Sequence, residues 1–294
     1  MSEAQELSGS VWLNGRVVPA ARARVSALDR GFLYGDGLFE TVRCYRGVPF
    51  LLDGHIGRMA RSAEFLALPL PEVDWLSAVR KLLAANHLLE ADASVRITVT
   101  RGAAPPGLVP PRSPRPTVMA FALPLPRTLT REQRLGVRVI TVPLYRCGPL
   151  AAHKLLDYVP AILARAAAAK RKAREALYVH DGMVCEATTA NVFAVFGNTL
   201  VTPPLNELLP GITREFVLSL AQSAGIQTIE RAIRIEELHR ADELFLTSAV
   251  LEVLPVTRVD ELTIGTGVPG PITRQLQQAY RQRVNQLCGA RKRK

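Results

Sequence analysis

Lys154 stands 32 residues ahead of Glu186 (186 − 154 = 32), and this is the first pair along the chain whose types and spacing could do chemistry. A lysine amine can attack a carbonyl and can then move a proton as a general base. A carboxylate can keep a neighbouring ring nitrogen protonated and so make that ring an electron sink. Further on, Leu209-Pro210-Gly211-Ile212-Thr213-Arg214 has the form of an anion seat. Gly211 permits a tight turn, and the first N–H groups of a helix beginning there lack partners within the helix. Arg58, in His55-Ile56-Gly57-Arg58-Met59, could bring a guanidinium to the same kind of anion. Taken singly each has a bland reading, since a lysine before an apolar helix is usually a surface residue. Their occurrence together and in order gives them weight.

Elements must hold these residues. Val11–Leu13 and Arg16–Val18 flank Asn14-Gly15, and Phe39–Tyr45 and Val48–Leu51 flank Arg46-Gly47, so two hairpins open the chain. A helix is expected from Asp53 as N-cap, with His55, Ile56, Met59, Ala60, Ala63 and Phe65 near its apolar side. A second covers Trp75–Asn86, and strands Ser94–Thr100 and Thr117–Ala122 follow. Between these strands the Pro-rich run Gly102–Pro116 is too long for a plain connector and is a candidate active-site loop. After a break at Leu123–Arg127, strand Val137–Val142 opens a second part. There an Ala-rich helix over Leu155–Lys170 precedes strands Ala176–Val179, Val192–Phe196 and Thr199–Val201. A helix over Thr213–Ala224, a short one at Glu236–Arg240, strand Glu243–Thr247 and a closing helix Ile272–Leu287 complete the reading. Cys185 should face the side of its strand opposite Glu186, which argues against a redox role. The pattern is α/β (α+β), with a small α/β domain over 1–122, a linker over 123–133 and a larger domain over 134–294.

The 294 residues, 48% hydrophobic and 21% charged, exclude a disordered chain. No run of about 18 apolar residues could span a bilayer, and the start MSEAQELSGS is not a signal peptide. Cys44, Cys147, Cys185 and Cys288 show no metal spacing and read as reduced thiols of a cytoplasmic protein, so no metal is expected. The net charge of +11 raises a nucleic-acid reading, but part of it sits in the tail Arg291–Lys294 and part in Lys170–Lys172. Solvated surface charge is the better account, and an anionic substrate or cofactor also suits a basic chain.

With these residues in view, the stretch His153-Lys154-Leu155-Leu156-Asp157-Tyr158, the Glu186-x-x-x-x-Asn191-Val192-Phe193 element and Gly211-Ile212-Thr213-Arg214 resemble the class IV (fold-type IV) aminotransferases that depend on pyridoxal 5′-phosphate (PLP). The match extends over residues 11 to 280, through Asp29–Thr41, His55–Met59, Asp242–Ala249 and Gly265–Thr273. The resemblance implies a two-domain fold with PLP in the cleft, joined as a Schiff base to Lys154, the catalytic residue. It implies that Glu186, with Asn191, partners the ring nitrogen and that Tyr158 lies near the ring hydroxyl. Arg58, Gly211, Ile212, Thr213, Ser248 and Ala249 would hold the phosphate. Tyr34 and Phe39 are candidates for the substrate side, whereas His55 and His153 suit structural hydrogen bonding. A homodimer is implied as well.

The family's reactions share these residues. Branched-chain and D-amino-acid aminotransferases exchange an amino group with a 2-oxo acid, while aminodeoxychorismate lyase releases pyruvate and 4-aminobenzoate. After Thr100-Arg101-Gly102 this chain lacks the Arg-x-His pair common in D-amino-acid transaminases, the Arg-Gly-Tyr of some lyases and the longer pattern typical of housekeeping branched-chain aminotransferases. Its apolar loop favours an aliphatic or branched side chain. Val250–Pro255 resembles a run found in some lyases. An aminotransferase is the expectation, the lyase the alternative, and a non-catalytic PLP-binding or nucleic-acid-binding protein a remote third.

Overall fold

A computed structural model describes residues 9–143, 148–205 and 208–289; Cys147 and the tail Arg291–Lys294 lie outside them. Its contacts divide the chain into two units. The first runs to Leu125 and takes in His153–Asp157 and the end of the closing helix from Leu287. The second comprises Pro126–Ala152 and Tyr158–Gln286.

In the first unit β1 (Ser10–Leu13) and β2 (Arg16–Pro19) form a hairpin, followed by α1 (Arg30–Tyr34). A second hairpin joins β3 (Gly37–Tyr45) to β4 (Val48–Pro49). Helices α2 (Leu52–Phe65) and α3 (Trp75–Ala85) precede β5 (Ala93–Thr100) and β6 (Thr117–Pro124). Asn14-Gly15 (φ 44° and 92°) and Arg46-Gly47 (φ 47° and 79°) take the two left-handed positions that tight hairpin turns require. The sheet order β2-β1-β6-β5-β3-β4 is antiparallel throughout. Met59 and Ala63 of α2 and Leu82 and Leu83 of α3 pack on its Leu38, Val95 and Ile97. Asp53 is not the N-cap of α2: Leu51, left-handed at φ 51°, takes that place, and Asp53 sits in the first turn. An acid there still favours the helix dipole.

A segment from much later in the sequence joins this sheet. Leu155 forms an antiparallel bridge with Leu38. The Phe39 amide donates to the Lys154 carbonyl (2.9 Å) and the Leu156 amide to the Gly37 carbonyl (3.1 Å). The expected helix over Leu155–Lys170 therefore starts only at Val159. Leu155 and Leu156 look helical by their apolar character, but their backbone groups are committed to β3.

The second unit holds α4 (Leu129–Leu135), β7 (Val137–Pro143), α5 (Val159–Lys170), β8 (Glu175–His180) and β9 (Met183–Ala187). Next come β10 (Asn191–Phe196), β11 (Thr199–Thr202), α6 (Ile212–Ser223), β12 (Gln227–Glu230) and β13 (Ile233–Arg234). β14 (Glu243–Ser248), β15 (Glu252–Val259), β16 (Leu262–Thr263) and α7 (Pro271–Gly289) end the order. The strand path is β12-β11-β10-β14-β15-β7-β8-β9-β13, with β16 on β15. β7 pairs in parallel with β15 and β8, and β11 with β12; the other pairings are antiparallel. The run read as a linker, 123–133, holds the end of β6 and most of α4. Among the described residues no helix is long and apolar enough to cross a membrane.

Candidate active site

In the first unit the structure brings Lys154 and Phe39 together. Lys154 Nζ stands 4.5 Å from the centre of the Phe39 ring, and the Arg96 guanidinium lies 3.5 Å from the same centre. Phe39 is buried, so both cations meet a ring whose position is fixed by the core. The lysine's own backbone is held on β3, its amide reaches Ser62 Oγ (3.4 Å), and the preceding His153 stacks on Phe65 at 4.0 Å. Gly37 admits this added segment. A Cβ there would stand 2.5 Å from the Val99 carbonyl and 2.9 Å from Leu156 Cδ1.

Arg58 projects from the buried face of α2 towards β3, where Glu40 is fully buried. Its Nε donates to Glu40 Oε1 (2.7 Å) and an Nη to Oε2 (2.8 Å), a two-point grip that sets the plane of the guanidinium. His55 Nδ1 lies 2.8 Å from Glu40 Oε2. Burial alone would raise the Glu40 carboxyl, but the charge and hydrogen bonds of Arg58, with the hydrogen bond of His55, outweigh it and hold it at about 2. Burial also pushes His55 below its ordinary value, against the pull of Glu40. The neutral imidazole must therefore donate Nδ1–H, because an ionised Glu40 can only accept.

Tyr34 ends α1 and faces the Pro-rich loop: its hydroxyl accepts from the Gly107 amide (2.9 Å). Arg30 donates to the Gly107 and Leu108 carbonyls (2.6 and 3.3 Å) and pairs with Asp36, which Arg101 also holds. Those two arginines overcome the effect of burial and lower the Asp36 carboxyl below its usual range. The tip of this anchored loop leaves Leu108 and Val109 more than four-fifths exposed (83% and 86%).

In the second unit Glu186 and Asn191 face one another across the turn between β9 and β10. Asn191 Nδ2 donates to Glu186 Oε2 (3.3 Å) and to the Leu209 carbonyl (3.0 Å), and the Leu209 amide reaches Glu186 Oε2 (3.4 Å). Cys185 packs instead among Ile140, Ala164 and Tyr178, on the other face of the strand, as the alternation requires. Gly211 is the N-cap of α6 and has no side chain to cap it; a Cβ would fall 1.9 Å from Asn191 Oδ1. Asn191 is the cross-strand partner of Thr247, whose buried Oγ1 has no hydrogen-bond partner among the described residues. Ser248 follows as the last residue of β14, and Tyr158 is the N-cap of α5.

A buried hydroxyl without a partner costs free energy unless a ligand satisfies it. Its cross-strand partner Asn191 abuts Gly211, which opens α6, and the first N–H groups of a helix have no partner within the helix. This chemistry fits a phosphate, and the held carboxylate of Glu186 fits a protonated ring nitrogen. The lysine with its phenyl neighbour fits an aldehyde. The residues present therefore suit PLP.

Glu40, Arg96 and Thr247 were not legible as site residues in the sequence. The signal for Glu40 was there: a lone acid inside the apolar strand run Leu38-Phe39-Glu40-Thr41-Val42 needs a buried partner. Arg96 alternates with Val95 and Ile97 like any solvated strand residue, so nothing in the pattern singles it out.

The comparisons with known proteins agree. The family model described as amino-transferase class IV matches residues 37–259. A putative branched-chain-amino-acid aminotransferase of Methanocaldococcus jannaschii is 38% identical, over 92% of this chain and 95% of the relative. A D-alanine aminotransferase of Bacillus licheniformis is 35% identical (93% and 96%), and an aminodeoxychorismate lyase of Bacillus subtilis 31% (94% and 95%). Among solved structures, the branched-chain aminotransferase of Escherichia coli superposes with a TM-score of 0.87 at 28% identity, over 94% of each chain. The T.th. branched-chain aminotransferase with pyridoxamine 5′-phosphate gives 0.86 at 29%, again over 94% of each. On the strength of a family match spanning most of its length and of these relatives, the chain belongs to the class IV aminotransferases.

Proposed function

We propose that the chain is a PLP-dependent aminotransferase that moves the amino group of an aliphatic or branched-chain amino acid to a 2-oxo acid. The observation that carries the reading is Lys154 Nζ beside the Phe39 ring, on a backbone tied to β3. When bound, PLP supplies an electron sink for the charge left at the substrate's α-carbon. Lys154 would attach the cofactor through its amine and, when that amine is free, would take the proton from that α-carbon as general base. Glu186, held by Asn191 and the Leu209 amide, keeps the ring nitrogen protonated. By the family resemblance, the phosphate would be held by Arg58, by the Ile212 and Thr213 amides and by the Thr247–Ala249 strand end. Tyr158, the N-cap of α5, would lie near the ring hydroxyl by the same resemblance. Phe39 and the apolar character of the loop favour a hydrocarbon side chain.

The relative named as a branched-chain aminotransferase supports the substrate class. A second reading, aminodeoxychorismate lyase, is favoured by the 31% identical relative of that name and by the run Val250–Pro255. Single D- and L-amino acids added to the PLP-loaded protein without an acceptor separate the two. Stoichiometric release of the matching 2-oxo acid supports the aminotransferase. No release from any of them, with pyruvate formed from aminodeoxychorismate, would replace it by the lyase. A homodimer belongs to the same reading, and sedimentation of the holoenzyme tests it.

A further inference from the structure

A buried acid outside the residues so far assigned grips the turn that carries Glu186 and Asn191. Glu175, at the start of β8, is 1% exposed. Thr188 Oγ1 donates to its Oε1, and Thr189 Oγ1 donates to its Oε2 at 2.9 Å. The Ala176 amide adds a third bond to Oε1 (2.9 Å), and Arg165 of α5 stands 3.5 Å away. The turn Thr188–Ala190 is the whole link between β9, which ends one residue after Glu186, and β10, which begins at Asn191. Its backbone is closed by the Ala187 amide on the Ala190 carbonyl (2.7 Å) and tied to β8 by the Thr188 amide on the Ala176 carbonyl (3.1 Å).

Burying a carboxylate is costly, and a hydrocarbon of similar size would pack β8 against α5 without that cost. What a carboxylate adds is two oxygens that can each fix a hydroxyl at a set distance and angle. Both hydroxyls come from the same turn. We propose that Glu175 is a positioning residue for the reaction: by clamping Thr188 and Thr189 it sets the turn that holds Glu186 against Asn191, and thereby the presentation of the Glu186 carboxylate to the cofactor's ring nitrogen. The same clamp reaches the phosphate seat, because Asn191 also bonds the Leu209 carbonyl and abuts Gly211 at the start of α6. The inference rests on the assignment of Glu186 made above.

The test uses holoenzyme loaded with PLP carrying 15N at the ring nitrogen. The double variant Thr188→Val, Thr189→Val removes both hydroxyls and leaves the side-chain shapes nearly intact. Its ring-nitrogen resonance should move towards the unprotonated position, and kcat should fall about tenfold to a hundredfold, the scale on which outer hydrogen-bond partners act. KM for the 2-oxo acid should change far less than kcat. Thr188→Ser, Thr189→Ser restores the hydroxyls and should restore the wild-type resonance. A wild-type resonance and kcat in the valine variant, even with a lowered Tm, would overturn the proposal and leave Glu175 a structural clamp only. Should the valine variant fail to fold, Glu175→Gln keeps the volume, removes the charge and is read by the same resonance: a shift supports the proposal, and a wild-type resonance overturns it. Glu186→Gln is the control. If it leaves the ring nitrogen as in the wild type, the assignment of Glu186 itself fails and takes this proposal with it, whereas a shift there with none in the valine variant removes the clamp alone.

Discussion

The carbonyl of Lys154 accepts a hydrogen bond from the Phe39 amide at 2.9 Å, while the same lysine's Nζ stands 4.5 Å from the Phe39 ring. One residue of β3 thus fixes both ends of the lysine, its main chain through the ladder and its amine through the ring face. Gly37 makes room for that arrangement, since its Cβ would stand 2.9 Å from Leu156 Cδ1, two residues beyond the lysine. Gly37→Ala should push the Lys154 segment off β3 at a cost of about 1–3 kcal/mol, the usual range for overpacking. The expected outcome is a lower Tm together with slower covalent attachment of PLP, followed by absorbance. Attachment at the wild-type rate would mean that the β3 ladder does not set the position of the lysine.

The Glu40 group predicts an acid limit. Its carboxyl is held at about 2 in the fold against an ordinary value of 4.5. Because the folded value is depressed, the stabilisation is complete above about pH 4.5 and is lost as pH falls towards 2. At about 1.4 kcal/mol per pH unit the shift corresponds to on the order of 3 kcal/mol. His55, also depressed, acts in the same direction, starting below about pH 6.5. Urea unfolding of wild type between pH 7 and 3 should show falling stability, and Glu40→Gln should be less stable at pH 7 yet flatter below pH 4.5. A variant profile parallel to the wild type would refute the role given to this carboxylate.

Gly211→Ala probes the phosphate seat. The backbone at Gly211, with φ −72°, accepts any residue, so the variant acts only through the Cβ placed 1.9 Å from Asn191 Oδ1. Displacing Asn191 should weaken PLP binding by about tenfold or more, equal to ~1.4 kcal/mol. Titration of the apoprotein with PLP and with pyridoxal, which lacks the phosphate, should show the larger loss for PLP. Equal losses would point to the ring contacts of Asn191 alone.

Tyr34→Phe removes the acceptor of the Gly107 amide and little else. Amide exchange at Gly107 should speed up about fivefold, as expected for a net hydrogen bond of ~1 kcal/mol. KM should rise modestly and kcat hold. A large fall in kcat would instead place the hydroxyl on the substrate.

Much of this was legible in the chain. Asn14-Gly15 and Arg46-Gly47 announce their hairpins because the turn demands left-handed residues. What stayed hidden depends on partners distant in sequence. Leu155 reads as helical until β3 takes up its backbone. β15 was missed because Pro255 and the left-handed Glu252 (φ 56°) break the usual strand signature. The pairing of Glu40 with Arg58, and of Glu175 with Thr188, follows from which residues a strand and a helix bring opposite one another. No periodicity encodes it.

The most direct test of the account is to reduce the PLP-loaded protein with borohydride, digest it and locate the pyridoxyl group by mass spectrometry. The account predicts the adduct on the peptide bearing Lys154, and none in Lys154→Ala, which should still retain PLP through its phosphate while losing turnover. An adduct on any other lysine of the wild-type protein would contradict it.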